Sequence, residues 1–180
     1  MSATATVEDL SLLERRRIEA SVLVPMIRAF QAEFGEERVN QLVGKTIREI
    51  ARTQGEAIRE RAHIETMADF KVRMGAGPIS EGSLIVDVVD DGPTSYGFNV
   101  TTCKFVEMYR ELGAGDLGFL LSCNRDAASF EGMAPGLEFE RTQTRMQGAA
   151  FCDFRYRTPE AAGSRVLVHM PPIPDVPNGV

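Results

Sequence analysis

The residues best suited to chemistry are the three cysteines of the chain, which all fall in one third of the sequence. Cys103 ends the segment NVTTC, Cys123 stands in SCNRD, and Cys152 begins CDFRYR. Their neighbours are Asp, Asn, Thr and Arg, whereas a thiol buried as a small hydrophobe would have mostly aliphatic neighbours. Their grouping and their polar neighbours therefore indicate a chemical role for these cysteines.

Three interpretations of the cysteines stay open. As ligands, Cys103, Cys123 and Cys152 would form a three-thiolate site with one open position, which suits zinc or an iron–sulfur cluster. As a nucleophile, Cys103 is the best placed, because it falls in the first turn of a predicted helix whose dipole favours a thiolate. As a third interpretation, the thiols simply line a pocket. The sequence has no Cys-x-x-Cys pair, and no histidine lies near a cysteine to make a Cys–His nucleophile.

The hydrophobic pattern places each cysteine at the edge of a regular element. A β-branched run, a turn at Asp90–Pro93 and a second run predict a hairpin, and a helix that ends at Gly113 follows. Two further strands are predicted about a turn at Gln147–Gly148, in a register that sets Cys152 opposite Gln143 or one residue away. The predicted strands are 83–89, 96–102, 137–146 and 150–157, and the predicted helices are 103–112 and 124–130, with an apolar segment at 117–121.

The first 75 residues are predicted to be helical, with helices at 8–20, 24–35, 36–61 and 64–74. We start the second of these near Pro25, which suits a first turn, and expect Gly55 to loosen the third. This half holds no cluster of catalytic residue types, and its Arg-rich runs alternate with acids as on a solvated helix face. We therefore expect this half to form a scaffold or a dimer interface, with His63 at the surface.

The predicted fold class is α+β, with N-terminal helices packed with a small antiparallel sheet. We expect one domain over 1–180, with a helical part at 8–75 and a mixed part at 82–169 that carries the site. A weak strand is predicted at 165–169, with His169 structural, and the ends 1–7 and 171–180 are expected to be flexible.

The composition of the chain excludes some classes of binding partner. The chain has 180 residues, 43% hydrophobic content and a net charge of −6, with no basic stripe for nucleic acid. It shows neither a secretory leader nor an apolar run long enough to span a membrane, so we expect a cytoplasmic protein with reduced thiols and no membrane partner.

Four segments together resemble the L-2-amino-thiazoline-4-carboxylic acid hydrolase family: FNVTTCKFVEMYRELG, LLSCNRD, RTQT and GAAFCDFRYR. They span 98–157, and their joint order is far more specific than any one of them. The end of the chain is also similar to vinyl-reductase-type small-molecule-binding domains, in which cysteines near this strand can hold zinc. The segment RTQT stands here where such a zinc site would have Glu-x-x-Cys.

The resemblance implies a hydrolase that opens a cyclic isothiourea bearing a carboxylate to a product of the N-carbamoyl-cysteine type. This reaction needs a base for water, a clamp for the carboxylate and an acid for the leaving group. Asp126, one helical turn from Cys123, is the predicted general base, with Cys103, Cys123 and Cys152 as further catalytic candidates. The predicted substrate-binding residues are Arg141 and Arg155 for the carboxylate, and Thr142, Thr144 and Asn99 for the polar edge of the ring.

Two alternatives to this hydrolase stay open. One is a vinyl-reductase-like sensor domain that binds a small molecule without turning it over. The other is a metal or iron–sulfur protein that uses the three thiolates. In each case the partner is a small molecule, and the apolar stripes of the first helices allow a homodimer.

Overall fold

The computed structural model describes residues 10–159 and has the predicted α+β architecture. The predicted strand at 165–169, His169 and the two chain ends lie outside these residues. Within them, none of the helices has the length and apolar content needed to cross a membrane. The elements, in chain order, are α1 Leu12–Phe34, α2 Glu36–Ala62, α3 Met67–Gly75, β1 Leu84–Asp90, β2 Ser95–Cys103, α4 Lys104–Glu111, α5 Gly115–Leu121, α6 Asp126–Met133, β3 Glu138–Glu140 and β4 Cys152–Arg157.

The first helix is continuous where the sequence predicted a break. It begins after Ser11, whose hydroxyl accepts a hydrogen bond from Glu14 N while the Glu14 carboxylate accepts one from Ser11 N. Pro25 lies inside the helix and is exposed, and Ser21, whose carbonyl loses its partner, is exposed as well, so water can bind that carbonyl. The prediction of a second helix starting at Pro25 is therefore wrong.

The four strands form one antiparallel sheet in the order β1-β2-β4-β3. On β4 the side chains of Cys152, Phe154 and Tyr156 are buried on one face, as the alternation predicts. They pack with Phe98 and Val100 of β2 and with Phe70 of α3 in a core on the helical side of the sheet. A second core joins α1, α2, α4 and α5.

The third strand is much shorter than predicted. It pairs Glu138 with Arg157 and Glu140 with Arg155, and continuing this register would set Gln143 opposite Cys152 as expected. The pairing of β3 with β4 ends at Glu140 because a side chain, and not the backbone of β4, binds the next N–H groups of the chain. The Asp153 carboxylate accepts hydrogen bonds from the backbone N–H groups of Thr142 at 3.0 Å and Gln143 at 2.8 Å.

Helices α2 and α6 touch through two glycines. A Cβ added to Gly55 would lie 2.1 Å from the Ser129 carbonyl oxygen, and one added to Gly132 would lie 2.3 Å from the Arg52 carbonyl oxygen. Gly55 therefore does not loosen α2 but lets α6 approach it, and α6 begins with Asp126.

We predict that Gly55→Ala lowers the free energy of unfolding by roughly 1–3 kcal/mol or more, since the new methyl group must push two backbones apart. Urea denaturation of the variant and the wild type measures this difference. Gly136→Ala is the matched control, because an added Cβ there meets nothing within 4 Å. Equal stability of Gly55→Ala and the wild type would contradict the close packing.

Candidate active site

A cavity of about 570 Å³ lies between the helices and the inner face of the sheet. Five of the residues singled out in the sequence line it: Cys103, Cys123, Asp126, Arg141 and Cys152. They come from the end of β2, the turn before α6, the segment after β3 and the start of β4. The fold thus brings together residues that are up to about 50 positions apart in the chain.

The segment Cys-Asn-Arg-Asp forms a tight 3-10 turn, Cys123–Arg125, that runs into α6. Asn124 is buried and fixes the turn to α2, because its amide donates to the Gly44 carbonyl at 3.0 Å and accepts from Arg48 Nη1 at 3.0 Å. Arg125 fixes it from the other side by donating from Nε to the Leu121 carbonyl at 2.8 Å. With these two residues anchored, Cys123 and Asp126 face the cavity.

Asp126 and Arg141 form an ion pair at the cavity wall. Arg141 Nη1 donates to Asp126 Oδ2, and Nη2 donates to the Cys123 carbonyl at 3.2 Å. The Arg141 side chain is 8% exposed, and the Asp126 side chain is 30% exposed. Burial raises the pKa of Asp126, and the charge of Arg141 opposes that rise. A carboxylate that lines the cavity and has a raised pKa is suited to act as a general base.

Aromatic rings enclose the Arg141 guanidinium. Its central carbon lies 5.4 Å from the ring centre of Phe154, 5.9 Å from that of Phe119 and 6.0 Å from that of Phe139. Such contacts hold a cation in a fixed orientation. Arg141 is therefore a rigid partner for Asp126, and its prediction as a free carboxylate clamp does not agree with this pairing.

The three cysteines are free thiols at the cavity, and burial raises the pKa of each. The pKa of Cys152 rises to about 11, and its sulfur accepts a hydrogen bond from Arg145 N at 3.1 Å. Cys103 stands at the N-cap of α4, and not in the first turn as predicted. Burial there outweighs the backbone N–H groups of Phe105 and Val106, so the expectation of a Cys103 thiolate is not met.

The predicted ligand set for zinc or an iron–sulfur cluster does not fit the arrangement of the thiols. Across residues 10–159, no group of three or more His, Cys, Asp or Glu side chains is positioned to hold a metal ion. We therefore derive no step through a metal from Cys103, Cys123 and Cys152. The metal itself stays a prediction, which elemental analysis of the purified protein tests.

Four predicted substrate-binding residues lie away from the cavity. Thr142 is exposed, and its hydroxyl donates to Asp153 at 2.6 Å. Thr144 is buried and caps the short turn after it by accepting from Gln147 N. Arg155 donates to Asn99 Oδ1 at 2.8 Å and to the Phe98 carbonyl at 3.0 Å. Asn99 and Arg155 are on the outer face of the sheet, because the inward positions of β2 and β4 are the alternate ones.

The sequence interpretation missed the arginines that line this cavity from the helices. Arg15 and Arg16 of α1 and Arg61 of α2 were assigned to solvated faces, and Arg73 of α3 was given no role, but all four line it. The helical spacing does place Arg16 on the buried side of α1, since it stands four residues before Ala20 and eleven before Ile27, the two buried residues of this helix.

Comparison with solved structures finds several similar chains, two of which are described here. The first is a trafficking protein particle complex subunit 3 from Naegleria fowleri covalently bound to palmitic acid, with 9% identity, a TM-score of 0.49, and coverage of 80% of this chain and 95% of that one. The second is the phenol-responsive sensory domain of the transcription activator PoxR with phenol, with 12% identity, a TM-score of 0.44, and coverage of 89% and 77%. At these values neither likeness bears on function.

Comparison with known sequences and protein families identifies the family of the chain. None of the curated proteins matches the chain in sequence. The family model described as L-2-amino-thiazoline-4-carboxylic acid hydrolase matches residues 15–156, which include every cavity residue discussed above. This match supports a hydrolase-like assignment at the level of the family. The chain belongs to the L-2-amino-thiazoline-4-carboxylic acid hydrolase family.

Proposed function

We propose that the protein hydrolyses a small cyclic substrate with C–N and C–S bonds and a carboxylate, of the 2-amino-thiazoline-4-carboxylate type. The observation that carries the proposal is the convergence of Asp126, Arg141 and the three thiols on one cavity in a chain of this family. A cavity of about 570 Å³ is of the size that holds a small molecule.

In the proposed reaction Asp126 activates water. Arg141 binds Oδ2, so Oδ1 is the oxygen that takes a proton while the water oxygen attacks the ring carbon between nitrogen and sulfur. As the new C–O bond forms, the C=N double bond opens. The C–S bond then breaks while the C=O bond forms, and the second proton of the water passes to the nitrogen of the former C=N bond, which leaves a urea and a thiolate. The leaving sulfur takes a proton from the neutral thiol of Cys123, and the proton held by Asp126 returns to Cys123.

The burial of the thiols supports this role as an acid. A thiol with a raised pKa remains protonated at neutral pH, so Cys123 carries a proton that it can give to the leaving sulfur. The same burial weighs against Cys103 or Cys152 as a nucleophile, because the thiolate is the attacking species.

The direct test is to incubate the purified protein with 2-amino-thiazoline-4-carboxylate and analyse the mixture by mass spectrometry. We expect a product heavier than the substrate by one water, together with one new thiol per product molecule. A substrate that stays intact at high enzyme concentration would overturn the proposal.

A second candidate is a binding domain without turnover. It is favoured by the apolar part of the cavity wall, which includes Phe98, Phe105, Phe130 and Phe154. For this candidate the same compound would bind and remain unchanged. Mass spectrometry and calorimetry on one sample therefore separate the two functions.

We also propose that the protein forms a homodimer through α1. Five apolar side chains follow one another at intervals of four residues on its outer face and are between 44% and 57% exposed: Ile18, Val22, Met26, Phe30 and Phe34. Such a row along a 23-residue helix can pack against its own copy. A cytoplasmic location is likewise a proposal, in keeping with three free thiols.

We expect the wild type to show the mass of a dimer in light scattering, and Met26→Asp to show that of a monomer, since a charge in the centre of the row opposes its burial. Val72→Asp is the control, because Val72 is equally apolar but lies outside α1 and is 80% exposed. A wild type that is monomeric at tens of micromolar would contradict this assembly.

A further inference from the structure

The cavity is positively charged in a protein that is negative as a whole. The net charge of the chain is −6, yet among the described residues the cavity is lined by six arginines and only three carboxylates. The arginines are Arg15, Arg16, Arg61, Arg73, Arg125 and Arg141, and the carboxylates are Glu19, Glu81 and Asp126. An excess of guanidinium groups in a concave site attracts anions.

The carboxylates do not neutralise all of these arginines. Glu19 is shared by Arg16 at 2.6 Å and Arg125 at 3.2 Å, and Asp126 is bound by Arg141. Glu81 accepts a hydrogen bond from Leu12 N at 3.2 Å and lies near Arg73 without an ion pair. Within residues 10–159, Arg15, Arg61 and Arg73 thus form no salt bridge.

Two buried guanidinium nitrogens at the cavity lack a hydrogen-bond partner in the described part of the chain. They are Nη1 of Arg125 and Nε of Arg15. Arg125 is only 8% exposed, and its other nitrogens are already bound by Leu121 and Glu19. A buried N–H group without a partner is costly, so the free Nη1 indicates that a ligand completes the site.

The first turn of α1 connects these groups to Arg73. The hydrogen bond from Leu12 N to Glu81 places this turn, which also carries Arg15, beside the segment that follows α3. Arg61 and Arg73 both line the cavity, and burial and then the charge of Arg61 lower the pKa of Arg73. An anion between them would relieve the repulsion.

We propose that Arg15, Arg73 and Arg125 form an anion subsite that holds the carboxylate of the substrate, with Arg61 adding charge at its edge. The inference rests on the proposed function and deepens it by naming the group that recognises the acid. It replaces the two clamps predicted from the sequence, since Arg141 is paired with Asp126 and Arg155 lies on the outer face of the sheet. Guanidinium groups bind carboxylates through paired N–H donors, which gives the substrate a fixed orientation toward Asp126.

The test compares two ligands that differ in one group, 2-amino-thiazoline-4-carboxylate and the carboxylate-free 2-amino-thiazoline, in calorimetric titrations of the full chain. We expect the wild type to bind the acid at least about tenfold more tightly, the size of a charge-assisted contact, and Arg73→Gln to lose this preference while it binds the neutral ring as before. Arg73 is chosen because its side chain makes no hydrogen bond within residues 10–159, whereas Arg125 also holds the turn before α6. Arg38→Gln is the matched control, an exposed arginine of α2 that does not line the cavity.

A further titration with inorganic phosphate separates the failure of this inference from that of the proposed function. If neither ring compound binds but phosphate raises the melting temperature of the wild type and not that of Arg73→Gln, the subsite stands and the proposed substrate is wrong. Carboxylate preference without hydrolysis likewise supports the subsite and overturns the hydrolase. Equal binding of the acid and the neutral ring by the wild type, a preference kept in Arg73→Gln, or no response to any of the three compounds would overturn the subsite.

Discussion

Asp126→Asn is expected to lower the turnover of 2-amino-thiazoline-4-carboxylate by about 10²–10⁴-fold, because the amide cannot accept the proton of the attacking water. The substitution keeps the size of the side chain and an oxygen that still accepts a hydrogen bond from Arg141. Binding of the substrate should change much less than turnover, since the proposed carboxylate subsite is formed by other residues. Initial rates over a range of substrate concentrations measure the two effects separately.

The control for this prediction is Asp116→Asn. Asp116 also pairs with an arginine, Arg28, at 2.6 Å, but it lies on the surface outside the cavity. Circular dichroism and melting curves establish that both variants are folded. If Asp126→Asn retains the turnover of the wild type, Asp126 is not the base.

Arg141→Met is expected to lower the free energy of unfolding by roughly 3 kcal/mol at neutral pH, because it leaves the Asp126 carboxylate without its counter-charge in a largely buried position. The double variant Asp126→Asn/Arg141→Met removes the stranded charge and should recover part of this loss. Urea denaturation of the wild type, both single variants and the double variant gives the coupling energy of the pair. Purely additive losses would contradict a direct ion pair.

The destabilisation by Arg141→Met should also depend on pH. Burial raises the pKa of Asp126 in the folded protein, and removal of the opposing Arg141 charge raises it further. A carboxyl group with a raised folded-state pKa binds its proton more tightly when folded, so its stabilising contribution is present in acid and is lost as the pH rises through that pKa. The stability gap between variant and wild type should therefore widen between about pH 4 and pH 7. A gap that is constant over this range would contradict the assignment of the buried partner to Asp126.

Much of the fold could be predicted from short-range patterns. The hairpin of β1 and β2 follows from two β-branched runs about Asp90–Pro93, and α2 was predicted to within one residue at each end. The inward face of β4, with Cys152, Phe154 and Tyr156, follows from strict alternation. The family was also predicted from the order of the four segments and is shown by the match over residues 15–156.

Other features depend on contacts between residues distant in sequence. The length of β3 could not be predicted because Asp153, on another strand, takes the backbone N–H groups that would have continued the ladder. The unbroken α1 likewise depends on Pro25 facing solvent, which only packing decides.

The same division applies to the candidate site. The chemical types could be predicted from the sequence, because the three cysteines, Asp126 and Arg141 stand in the four segments that resemble the family. The pairing of Asp126 with Arg141, fifteen residues apart, could not be predicted, nor that arginines of α1 and α3 line the cavity while Arg155 does not. The physical reason is that periodicity reports which face of an element is apolar, whereas the placement of a charge in a cavity is fixed by how elements far apart in the chain pack around it.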